Sequence, residues 1–143
     1  MMQHTLCLGH AEAQRAIQAI EAEARQRGKA VTIAVADAHG ELIGLLRLDG
    51  APLASVVIAT NKAWTAARER KPTWDIGQRS RHPETGFDLA NYGDPRYVGW
   101  GGGLPVWVEG GVVGAVAVSG LTQQEDVELA QVGVDAILGA GGA

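Results

Sequence analysis

The chain has 143 residues, 46% of them hydrophobic and 20% charged, with a formal net charge of −4. That balance suits a single globular domain spanning 1–143 and excludes the basic footprint of a nucleic-acid binder. The lone Cys7 cannot form an internal disulfide, no apolar run nears the roughly 18 to 20 residues of a membrane span, and no charged-then-apolar leader opens the chain, so a cytoplasmic protein is expected.

Residues 10–28 read as a helix. Ala13, Ala16, Ile17, Ile20 and Ala24 recur at helical spacing, Glu12, Arg15, Glu21, Glu23 and Arg25 fill the other side, and Gly28 stands where a left-handed cap belongs. Val31–Ala36 and Glu41–Leu48 read as two strands joined by the turn Asp37-Ala38-His39-Gly40. Pro52 suits the first turn of a second helix, about 53–70, and Pro72 stops it. Val56, Ala59, Ala63, Ala66, Ala67 and Arg70 form one stripe of that helix. Ser55, Ile58, Lys62, Thr65 and Glu69 form the neighbouring one.

Thr73–Arg81 reads as a short helix, followed by loop chemistry at 82–86 and 91–95 and a short strand at Tyr97–Trp100. Leu104–Val108 and Val112–Val118 read as a hairpin turning at Glu109-Gly110-Gly111. Val112–Val118 is apolar on both faces and is small or β-branched throughout, so it belongs in the middle of a covered sheet. Thr122 and Glu125 have capping-box spacing and open a last helix, buried through Val127, Ala130, Val134 and Ile137 or Leu138 and ending near Gly139, with 139–143 expected to fray. These elements give an α+β domain with an antiparallel sheet of about five strands flanked by helices.

Several words of the sequence occur together in the same order: Arg47-Leu-Asp49-Gly50-Ala51-Pro52-Leu-Ala-Ser55; Lys62-Ala63-Trp-Thr65-Ala66 with Pro72-Thr73; Gly102-Gly103-Leu-Pro105-Val106; Gly110-Gly111-Val-Val-Gly114-Ala115; Val118-Ser119-Gly120; and Asp126 in the last helix. From about residue 8 to 138 the chain resembles the haem-degrading, extracellular haem-binding and GlcG-like family, which includes the C-terminal domain of PduO-type cobalamin adenosyltransferases. The resemblance implies a profilin-like sheet, a dimer-based homo-oligomer of four to eight subunits, and haem or haem-iron binding with degradation in some members. It makes haem the implied cofactor; the residues by themselves call for none. The stretch from Trp74 to Trp100 is longer and richer in aromatics than the commoner family pattern.

The candidate site residues follow from their chemistry. Arg47 and Asp49 flank a strand–helix corner, where the guanidinium either grips a carboxylate or pairs with Asp49 to fix the corner. Lys62, in an alanine-rich helix, either anchors an anion or serves as a base, or else runs its ammonium out to water; Ser55 shares its stripe. Gly101, Gly102 and Gly103 either offer N–H groups to an anion or mark tight packing at a strand start. No two of His4, His10, His39 and His82 are paired at metal-site spacing. His82, near Tyr92, Tyr97 and Trp100, is the first choice of iron ligand if haem binds, and the resemblance adds His10. Tyr97 and Trp100 border the glycine run, where they would stack on a flat ligand. A pocket is expected between the second helix, the glycine run and the 74–100 loop, shared with a neighbouring subunit. Besides haem binding, two readings stay open. One is a cofactor-independent isomerase or cyclase acting on a small carboxylate or aromatic metabolite, with Lys62 and Arg47 as its working groups. The other is a non-catalytic sensor or assembly module.

Overall fold

The computed structural model describes the backbone of residues 1–142 and the side chains of residues 1–139. Its elements are α1 (His10–Gln26), β1 (Thr32–Asp37), β2 (Leu42–Arg47), α2 (Ser55–Glu69), α3 (Thr73–Ser80), a 3-10 turn (Leu89–Tyr92), β3 (Gly103–Val108), β4 (Gly111–Ser119) and α4 (Gln123–Gly142). The strands form one antiparallel sheet in the order β2-β1-β4-β3. β4 is an inner strand, as its two apolar faces require, and is buried from Val113 to Ser119.

The period-2 alternation of the inner strands sorts large from small residues. Ile33, Val35, Val116 and Val118 face α1 and α4, where they join Ile20, Leu129 and Ala130 in the main core. Ala34, Ala36, Ala115 and Ala117 face α2 and meet Ala59, Ala63, Ala66 and Ala67. Alanine against alanine lets α2 lie close on the sheet. Long side chains on that helix are therefore pushed to its flanks and ends.

The sheet has four strands where about five were expected. Tyr97–Trp100 is not a strand, because Thr65 takes its place as the hydrogen-bonding partner. Thr65 Oγ1 donates to Arg96 O at 3.1 Å and accepts from Val98 N at 3.2 Å, which pins this segment to α2. Gly99 then packs against Gly77, where a side chain on Gly77 would collide with the Gly99 carbonyl. The capping box forms as expected: Thr122 Oγ1 accepts from Glu125 N at 3.2 Å and donates to Glu125 Oε1 at 2.8 Å. The helix it opens runs past Gly139 to Gly142, and Ala143, in the stretch expected to fray, lies outside the described residues. Among the described residues no helix is long and apolar enough to cross a membrane.

Candidate functional site

The site grows from the first two turns of α2. Ser55 opens the helix, and its Oγ donates to Pro52 O, so Thr32 Oγ1 of β1 supplies the proton of the 2.7 Å bond between the two hydroxyls. Two turns on, Lys62 emerges from the same stripe. With alanines on either side and the sheet beneath, its chain runs along the end of β4 and stays inside. The side chain is 2% exposed, and Nζ donates to Val118 O at 3.0 Å and to Asp126 Oδ2 at 3.1 Å. Asp126, in the first turn of α4, is 3% exposed and also accepts from Leu121 N at 3.1 Å. Lys62 thus does not reach for water. The pair ties a helix on one face of the sheet to a helix on the other, around the end of β4.

Burial pulls the Lys62 pKa down and pushes that of Asp126 up, each opposed by the partner's charge. Gly102 makes the geometry possible. Its φ is +131°, its carbonyl accepts from Val118 N at 3.0 Å, and a Cβ there would come within 2.7 Å of Lys62 Nζ. Only a residue without a side chain fits between the end of β4 and the ammonium.

Above the pair opens a cleft of about 390 Å³. Pro52, Ile58, Trp100 and Leu121 give it apolar walls, and Ser119 and Gln123 add polar groups. Trp100 is 57% exposed and forms the rim. Few polar groups among apolar walls is the usual make-up of a small-molecule site.

The structure brings together Ser55, Lys62, Trp100 and the glycine run Gly101–Gly103, and places Arg47, Asp49, Tyr97, His82 and His10 outside the cleft lining. The N–H groups of the glycine run are largely taken: Gly101 N donates to Gln123 Oε1 at 2.9 Å and Gly103 N to Thr73 Oγ1 at 3.0 Å. Arg47 and Asp49 are exposed on the outer strand β2 and its exit, line a different hollow with Glu21, Arg25 and Lys29, and form no ion pair with each other among the described residues. Tyr97 lies at the other end of α2, edge-on to Trp64 at 4.8 Å and stacked on Tyr92 at 4.3 Å. His82 is exposed, and its Nδ1 accepts from Glu84 N and Thr85 N, both at 3.1 Å, so it caps its own turn. His10 is exposed at the start of α1. Among the described residues no three His, Cys, Asp or Glu side chains cluster to hold a metal.

Two residues of the site had no assigned role in the sequence. Asp126 sits in the first helical turn, where a carboxylate is explained by the helix dipole alone. Nothing local links it to a lysine 64 positions earlier. Ser119 reads as the polar end of a strand.

Comparison with known proteins places the fold. Residues 8–135 match the model of the haem-degrading HbpS-like proteins. The chain belongs to that family. GlcG of Escherichia coli is 35% identical over 118 residues, which cover 82% of this chain and 85% of GlcG. The crystal structure of the Klebsiella pneumoniae protein ORFY superposes with a TM-score of 0.89 at 32% identity, covering 96% of this chain and 94% of that one. A crystal structure of PduOC in complex with haem gives 0.84 at 26% identity, covering 92% and 95%.

Proposed function

We propose that this HbpS-like chain is a small-molecule-binding protein whose ligand sits in the cleft between α2 and the start of α4, and that haem is the first ligand to test. The cleft under Trp100 carries the reading: its walls are apolar, its rim is aromatic, and its polar groups are few. The family and the haem complex of PduOC support haem as the ligand class. The donor set of the cleft does not fit an iron-ligating site. No histidine, cysteine, tyrosine or methionine lines it, and its one amine is turned to Asp126. No iron chemistry is therefore derived from these residues. Haem that binds here is held by its ring and edge groups, or takes its iron ligand from outside the cleft, where His10 and His82 are exposed.

Titration with hemin tests this. A saturable shift of the Soret band is expected, and Trp100→Ala should weaken binding about tenfold, the worth of one lost aromatic contact. No shift at stoichiometric hemin defeats the haem reading. A shift untouched in Trp100→Ala but abolished in His82→Ala or His10→Ala moves the site away from the cleft. Degradation is the finer proposal. With ascorbate and dioxygen supplied, it predicts decay of the Soret band with growth of a linear-tetrapyrrole band, and a stable Soret band confines the role to binding. The proposal takes the chain as a cytoplasmic homo-oligomer, and native mass spectrometry of protein purified without added ligand reads its stoichiometry and any retained molecule together.

A further inference from the structure

The cleft floor holds two hydrogen-bond donors that nothing in the chain uses. An ammonium has three N–H donors. Among the described residues Lys62 Nζ bonds to Val118 O and Asp126 Oδ2, which leaves one over. Ser119 follows Val118 directly, lines the cleft and is only 5% exposed, yet its hydroxyl has no hydrogen-bond partner among the described residues. Its cross-strand neighbour Thr32 gives its proton to Ser55 and makes no bond to Ser119. The hydroxyl is not sealed in the core: no buried side-chain oxygen among the described residues lacks a partner, so this one opens on the cleft and is free to bond to what enters it. The two spare donors are neighbours, because Lys62 holds the carbonyl of the residue just before Ser119.

Charge then selects the acceptor. Lys62 and Asp126 sum to zero whichever of them holds the proton. A carboxylate on this floor would add an unbalanced negative charge beside Asp126, between the apolar walls of Pro52, Ile58 and Leu121. An uncharged oxygen adds none. The ion pair also keeps the Lys62 lone pair occupied, which disfavours a covalent amine role. Both points turn the site away from the small carboxylate expected in the enzyme reading of the sequence.

We propose that the cleft binds an uncharged carbonyl compound with a flat apolar body, its oxygen accepting from Lys62 Nζ–H and Ser119 Oγ–H and its body lying against Trp100. The proposal rests on the cleft of the proposed function but not on haem as its occupant.

Three probes of matched size test it: acetophenone, benzoate and ethylbenzene, each titrated near neutral pH while the amide spectrum and the Trp100 indole N–H are followed by NMR. Acetophenone should bind at least about tenfold more tightly than ethylbenzene, as two added hydrogen bonds allow, and more tightly than benzoate. Shifts should centre on Ser119, Gly120 and Trp100. Ser119→Ala removes one unpartnered hydroxyl and leaves the core intact. It should weaken acetophenone about threefold to tenfold and leave ethylbenzene unchanged. Equal binding of ethylbenzene, tighter binding of benzoate, or an acetophenone affinity indifferent to Ser119→Ala overturns the proposal. Hemin titration of the same samples separates the two readings. A Soret shift without preference for acetophenone defeats this inference and leaves haem binding standing, whereas acetophenone preference without a Soret shift does the reverse.

Discussion

The two ends of α2 handle charge in opposite ways. At the cleft end, Lys62 and Asp126 are 2% and 3% exposed and bonded at 3.1 Å, and each makes one further bond to a backbone group, Lys62 Nζ to Val118 O and Asp126 Oδ1 from Leu121 N. At the other end, Arg96 pairs with Asp94 at 2.8 Å with side chains 50% and 29% exposed, and the guanidinium groups of Arg96 and Arg68 lie 4.2 and 4.8 Å from the ring centroid of buried Trp64. Bond lengths at the two ends are alike; the surroundings are not. Charges at the open end keep much of their water and tolerate loss of a partner. Charges at the closed end have given theirs up, and each depends on the other to be there at all.

The sharpest way to break this contrast is to remove one member of the buried pair. Lys62→Met or Asp126→Asn leaves a buried group uncompensated, and each should lower unfolding stability by about 3–5 kcal/mol in urea titrations. The double variant Lys62→Met/Asp126→Leu should recover most of that loss, because an apolar pair of similar volume is often neutral. If the double variant is as unstable as the singles, packing against Val118 rather than charge holds the corner. If a single variant costs under about 1 kcal/mol, the corner is wetter than its burial indicates.

A smaller effect probes why Lys62 is forced inward at all. The alanine layer sets the close approach of α2, so Ala63→Leu should cost about 1–3 kcal/mol by overpacking. On the opposite face, where Ile20 packs among valines and Leu129, Ile20→Val should cost about 0.5–1.5 kcal/mol. Thermal unfolding of the two variants compares the faces directly. An Ala63→Leu variant as stable as the parent would mean that the α2 layer has slack. Burial of Lys62 would then need another cause.

The same contrast explains what could be read from the sequence. Every helix and strand with strong periodicity was legible, including the inner position of Val112–Val118, because period and two-sided apolarity are local properties. The family was legible from several short words in order. The missing fifth strand was not, because its fate turns on Thr65 Oγ1, a side chain on another element that competes for its backbone groups. The site was half legible. Lys62, Ser55 and Gly102 stood out as odd residues in alanine-rich or glycine-rich settings, and Trp100 as a rim aromatic. Asp126 and Ser119 were visible only as members of family words, without a role, since their meaning comes from a tertiary contact around the end of β4. Tyr97 misled for the converse reason: closeness in sequence to Trp100 suggested the glycine run, but its ring packs on Trp64 and Tyr92 at the far end of α2.

The smallest expected effect belongs to the open end and has a definite sign. Arg96, by side-chain and backbone hydrogen bonds, holds the Asp94 carboxyl down at about 2 against an ordinary value of 3.8. A carboxyl whose pKa is lower in the folded chain than in the unfolded one favours the fold above the unfolded value, and that contribution fades as the pH falls from about 4 toward 2. Arg96→Gln should therefore move the Asp94 titration, followed by carboxyl NMR, upward but not all the way. The backbone N–H of residue 96, which donates to Asp94 Oδ1 at 2.9 Å, survives the substitution. The acid limb of the stability curve should become shallower in that window, while stability at neutral pH changes far less than in either buried-pair variant. An Asp94 titration that does not move would show that the backbone bond alone sets its pKa, and a loss at neutral pH rivalling that of Lys62→Met would abolish the distinction between the two ends of the helix.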